Sequence, residues 1–169
     1  MSNAKPSMTE SSPSITVRPA EPDDAAFLAQ LFASTRPEFN FLDLPESQKQ
    51  SLMTMQFNAQ RQQYDASYPE AESAIILLHG QPVGRMLVDR NEREFTLIDI
   101  ALSPEHRNAG IGTKLIRELL DEARAAGKSV RLHVAKSNPA QRLYERLGFS
   151  RVADQSMYFE MIFRTASVN

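Results

Sequence analysis

Two glycines, Gly110 and Gly112, in the stretch Arg107-Asn-Ala-Gly-Ile-Gly-Thr113, constrain this chain more than any other feature. They stand between a strand-like run, Phe95–Leu102, and an amphipathic helical stretch, Gly112–Ala126. Glycine reaches backbone conformations closed to other residues and lets a ligand approach without a Cβ in the way. The unpaired N–H groups of a helix's first turn, with the positive end of its dipole, favour an anion such as phosphate. Arg107 and Lys114 add charge nearby. The spacing does not fit GxxxxGK[ST], and Leu115 stands where GxGxxG requires a third glycine, so neither common nucleotide loop applies. A glycine-softened turn without a ligand is the competing reading.

The flanking sequence alternates strand and helix patterns. Ser14–Arg18 reads as a first strand, and Glu21-Pro-Asp-Asp24 begins a helix that runs to about Ser34. Ser34–Leu44 is a loop carrying Arg36, Phe39 and Phe41, and Pro45–Ala66 is a second helix with Met53, Phe57 and Tyr64 on one side. Ser73–Leu78 and Pro82–Asp89 form a hairpin about Gly80-Gln81. After the helix closed by Gly127 come a strand, Ser129–Ala135, and a short helix, Pro139–Leu147, ended by Gly148. The strand pair Phe149–Val152 and Ser156–Phe163 completes the chain. The order βααβββαβαββ predicts an α+β layering of sheet and helices. Residues 14–165 form a single domain on this reading, with tails at 1–13 and 166–169.

Composition excludes several classes. At 169 residues, with 41% hydrophobic and 24% charged side chains, the chain suits one globular domain. Nineteen Lys and Arg against 21 Asp and Glu leave a formal charge of −2, so the basic footprint of a nucleic-acid binder is missing. No cysteine exists to form a disulfide, a thiolate–metal site or a nucleophile. His79, His106 and His133 make no HxxxH pair, and no metal site is expected. The longest apolar run, Ala74–Leu78, is far below the roughly 18 residues of a membrane span. Met1–Pro13 lacks the apolar centre of a secretion signal, so a cytoplasmic location is expected, without membrane partners.

A second motif, Asn138-Pro-Ala-Gln-Arg-Leu-Tyr-Glu-Arg-Leu-Gly-Phe149, directly follows a strand. With both motifs at this separation, the chain from Ile15 to Phe163 resembles the Gcn5-related N-acetyltransferase (GNAT) superfamily. The resemblance implies a GNAT-like acyl-CoA N-acyltransferase fold, a mixed sheet of about seven strands flanked by about four helices. It also implies acetyl-CoA as acyl donor. Arg107, Asn108, Ala109, Gly110, Ile111, Gly112 and Thr113 would then bind the pyrophosphate. The strand edge Ile100, Ala101, Leu102 would pair with the pantetheine arm, entering where this strand parts from Ser129–Ala135. Asn138 would contact that arm. The implied reaction is N-acetylation of a primary amine of a small molecule, amino acid or peptide, by direct attack in a ternary complex. A non-catalytic acyl-CoA-binding or interaction module on the same fold is the alternative. Pairing into a homodimer would use the strand edge at Ser156–Phe163.

Tyr144 is the residue placed to protonate the departing thiolate, a transfer uphill by about 1.5 pH units from ordinary values. For the base, Glu94, Thr96, Ile98 and Ile100 share one strand face, while Phe95, Leu97 and Asp99 share the other. A substrate face carrying Ile98 and Ile100 favours Glu94 over Asp99; a bulge would invert that assignment. His133 and bulk water remain open as alternatives. Arg36, Phe39, Phe57 and Tyr64, with Phe41, Gln60 and Tyr158, are the candidates for the acceptor pocket. The net charge leans faintly towards cationic amines.

Overall fold

The computed structural model describes residues 13–166, and most of the expected tail segments, 1–12 and 167–169, lie outside the described residues. One mixed sheet organises the chain. Its strands are β1 (Ile15–Pro19), β2 (Glu72–Leu78), β3 (Gln81–Arg90), β4 (Glu94–Leu102), β5 (Ser129–Ala135), β6 (Ser150–Asp154) and β7 (Tyr158–Phe163). They lie in the order β1-β2-β3-β4-β5-β7-β6, with only β4 and β5 running parallel. Four α-helices accompany them: α1 (Ala25–Ser34), α2 (Glu46–Ser67), α3 (Ile111–Ala125) and α4 (Gln141–Arg146). Element order and type agree with the sequence pattern.

Two local details differ from expectation. The β2–β3 turn is His79-Gly80 rather than Gly80-Gln81. Both turn residues have positive φ, 50° and 80°, as a two-residue hairpin turn matching strand twist requires, which lets Gln81 pair with Leu78. The strand edge expected at Ser156–Phe163 is covered: β7 lies between β5 and β6, so the sheet's edges are β1 and β6.

α3 fixes one face. Its spacing buries Ile111, Leu115, Ile116, Leu119, Leu120 and Ala123. They share one apolar core with Phe95 and Leu97 of β4 and Val130, Leu132 and Val134 of β5. Each large aliphatic side chain there stabilises by about 1.5–3 kcal/mol relative to exposure. Strand alternation sends Ile75, Leu87 and Ile162 to the opposite face, where α1 buries Leu31 and Phe32 and the turn Pro37–Phe41 buries Phe39. At the start of α1, the Asp24 carboxylate accepts the Glu21 amide at 2.8 Å and the Arg18 guanidinium at 2.7 and 2.8 Å. That fork holds the Asp24 carboxyl down at about 2, below its ordinary 3.8.

β4 carries the irregularity that positions the site. Val88 pairs with Leu97 and Leu87 with Asp99, so Ile98 is an extra residue with no partner on β3. Phe95 and Leu97 face α3 before the bulge; Ile100 and Leu102 pack against that same core after it. Asp99 therefore shares a face with Glu94 and Thr96, the inversion a bulge was expected to cause. β4 and β5 pair from Glu94↔Ser129 to Leu97↔Leu132 and then separate. Beyond that point β4 follows β3, while β5 follows β7.

Candidate active site

The gap between β4 and β5 opens one residue before Asp99. Ser103 donates its N–H to the Val83 carbonyl at 2.8 Å, on the β3 side. Alternation then turns the main chain of Ala101 towards β3 as well, and that of Ile100 and Leu102 into the gap. At the end of this edge, the loop 107–110 leads into α3. Asn108 has φ 58° and the helix-capping Gly110 has φ 81°, left-handed conformations that favour Asn and Gly. Asn108, Ala109 and Gly110 are exposed. A Cβ on Gly110 would meet nothing within 4 Å, and one on Gly112 would touch only the Ile100 and Leu102 side-chain tips at 4.0 Å. The N–H groups of Ile111, Gly112 and Thr113 thus begin a helix beneath open space. The Arg107 side chain turns back: Nε donates to the Leu102 carbonyl at 2.9 Å, and an Nη lies 3.3 Å from the Ser34 hydroxyl. Lys114 pairs with Glu118 along the helix.

Asn138 is exposed before α4, and its Oδ1 accepts the Ala140 amide at 2.9 Å, which shapes the turn. Tyr144 is 8% exposed and stacks edge-on against Phe149, centroids 5.7 Å apart. Its hydroxyl has no hydrogen-bond partner among the described residues. Burial, and secondarily the charge of Asp99, push its phenol up to about 12. Burial also raises Tyr64 on α2 to about 12, with Asp99 again the next cause. Asp99 thus acts on phenols from two helices, and it is held by Arg85 at 2.5 Å.

On the α2 side of the sheet lies a cavity of about 520 Å³, bounded by Thr96, Leu97 and Ile98 at the bulge, by His133 and Tyr158, and by α2. Arg36 and Tyr64 line it, as do Gln60 and Tyr158. Phe39 and Phe57 do not; Phe39 is buried, and Phe57 packs on Phe32 with centroids 5.3 Å apart. Phe41 is 87% exposed and stands apart from the cavity. Glu94 holds both carboxylate oxygens on Arg131, at 2.8 and 3.1 Å, and Arg131 also pairs with Glu160. His133 is exposed on the cavity wall. Sequence reasoning missed Gln56, Gln63 and Ser67, which join Gln60 in a polar stripe on α2. Their spacing over 56, 60, 63 and 67 was the available signal.

A family model described as Acetyltransferase (GNAT) family matches residues 28–149. Cysteine-rich protein 2-binding protein of Mus musculus is 35% identical over 85 residues, which are 48% of this chain and 10% of that protein. The ribosomal protein bS18-alanine N-acetyltransferase of Haemophilus influenzae is 29% identical over 85 residues, 50% of this chain and 58% of that one. The matched region therefore spans less than two thirds of either relative. In three dimensions, the PaiA N-acetyltransferase of Thermoplasma acidophilum, solved in complex with coenzyme A, superposes with a TM-score of 0.67. The superposition covers 89% of this chain and 99% of that one at 17% identity, a likeness of fold. With a family match across most of its length and the parted strands and glycine loop in place, the chain belongs to the GNAT acetyltransferase family.

Proposed function

We propose that this protein transfers an acetyl group from acetyl-CoA to a primary amine, by direct attack with donor and acceptor bound together. The observation that carries the reading is the parting of β4 and β5 beyond Leu97 and Leu132, with an amide-rich helix start at one end and a 520 Å³ cavity alongside. The residues present fit the donor: Gly110 and Gly112 leave the space over the first α3 amides free of side chains. When bound, acetyl-CoA supplies an acyl group activated as a thioester.

On this reading the amides of Asn108 to Thr113 hold the diphosphate, with dipole and N–H groups acting together. The edge of Ile100 and Leu102, which no strand pairs and where Arg107 already holds the Leu102 carbonyl, receives an amide-bearing arm as a sheet edge receives another strand. The Ile100 N–H stabilises negative charge developing on a carbonyl oxygen. Tyr144 donates a hydrogen bond to the departing sulfur. Full proton transfer from a phenol at about 12 to a thiolate of ordinary basicity, about 8.5, is uphill by roughly 5 kcal/mol, so the hydrogen bond carries the stabilisation. Glu94 keeps its carboxylate on Arg131 and orients that guanidinium. The exposed imidazole of His133, or water in the cavity, accepts the proton of the amine.

Calorimetry with coenzyme A, followed by a coenzyme A release assay over a panel of amines, tests this. Saturable binding and amine-dependent release are expected, with intersecting double-reciprocal lines, since no cysteine is present to carry an acetyl group. Parallel lines refute direct attack. Binding without release from any amine leaves a cofactor-binding module, and no binding at all removes the reading.

A further inference from the structure

The charges around the cavity specify more than an amine. No Asp or Glu is among its lining residues, and Arg36 is the one Lys or Arg that lines it. The carboxylates on the neighbouring sheet surface are already engaged: Asp99 is paired with Arg85, and Glu94 and Glu160 share Arg131, which leaves that cluster one negative charge outside the lining. Arg36 has no carboxylate partner among the described residues. Its guanidinium lies over the Phe32 ring, 4.1 Å from the centroid, which fixes its plane and removes water from one side. The rest of the wall is neutral, with the amides of Gln56, Gln60 and Gln63 and the phenol of Tyr64. The lining itself argues against the faint lean towards cationic amines drawn from the −2 charge of the whole chain.

We propose that the acceptor is an amino acid or a small amino-carboxylate whose carboxylate is received by Arg36. The proposal rests on the transferase reading above. A planar guanidinium held against an aromatic ring presents its remaining N–H groups to a carboxylate as a fork, the geometry in which arginine binds acids most tightly. An acceptor with several ammonium groups finds no acid here and meets a fixed positive charge instead. A cavity of about 520 Å³ lies in the ordinary size range for small-molecule sites and has room for an amino acid or a dipeptide.

The test measures coenzyme A release at saturating acetyl-CoA, with each of several amino acids against its own C-terminal amide and with spermidine as a third arm. Rates are corrected for the fraction of free amine. The acids should exceed their amides about tenfold or more in kcat/KM, with spermidine lowest. Arg36→Gln should bring the acid-to-amide ratio below about three, chiefly by raising KM for the acid, whereas Arg36→Lys should retain part of the preference. Affinity for coenzyme A, read by calorimetry, should stay within about twofold in both variants, which shows the fold intact. Equal use of acid and amide, a preference for spermidine, or a ratio unmoved by Arg36→Gln overturns the proposal. In those cases transfer still occurs and the transferase reading stands. Protein that binds coenzyme A but acetylates none of these amines overturns the proposal, and the transferase reading falls with it only when the wider amine panel also gives no release.

Discussion

α3 and α2 lie on opposite sides of one sheet, and they do so by different physics. α3 has 15 residues and buries six of them in the apolar core shared with β4 and β5. α2 is longer, at 22 residues, and buries none. Towards the sheet it presents glutamines, Tyr64 and Ser67 around a cavity. On the proposed reading the donor side is thereby fixed by close packing and backbone geometry, with the helix start held in place by the core. On the same reading the acceptor side is set by side chains on a helix whose surface can vary without disturbing the core.

Truncating each helix tests the contrast directly. Leu120→Ala, at a site 2% exposed, should cost about 2–5 kcal/mol of stability by denaturant titration. Next in size is Tyr144→Phe, on the same side as α3, which should slow turnover about a hundredfold with little change in affinity for coenzyme A. Unchanged turnover would remove the tyrosine from the chemistry. Gly110→Val should weaken coenzyme A binding by roughly tenfold and lower stability by about 1–2 kcal/mol, because valine resists a φ of 81°.

Acid should act on the α1 side. The Asp24 carboxyl titrates near 2 in the folded chain, below its ordinary 3.8, so the Arg18–Asp24 pair stabilises above about pH 4. That contribution is lost as pH falls through 2, and Asp24→Asn should flatten the acid limb of stability between about pH 5 and pH 2. Smallest of all, Gln60→Ala on α2 should change stability by no more than about 0.5 kcal/mol. A loss comparable to that of Leu120→Ala would break the contrast between the two helices.

Legibility in the sequence follows the same division. The loop before α3 could be read because its demands are local: two glycines, a strand before them and an amphipathic repeat after. The same holds for Gly148, whose φ of 98° ends the short helix carrying Tyr144. The facing of Asp99 could not be read. It depends on the pairing of β3 with β4, which leaves Ile98 unmatched, and register between distant strands is not written in either strand alone. The cavity wall was partly hidden for a related reason. Phe57 sits on the expected stripe of α2 yet packs under α1, while Gln56 and Gln63, which look like solvated residues, face the cavity. The pairing of β6 with β7 was legible as a closing strand pair, but the seating of β7 between β5 and β6 was not, since sequence order does not give the order of strands in a sheet.

The bulge at Ile98 has a genetic corollary. Loss of that single codon would leave Val88 opposite Leu97 and Leu87 opposite Asp99 as consecutive rungs, with every inward aliphatic group still inward. It would also remove the added twist that drives β4 away from β5, so the two could zip together along their length. A closed sheet and an open cleft are thus separated by three nucleotides.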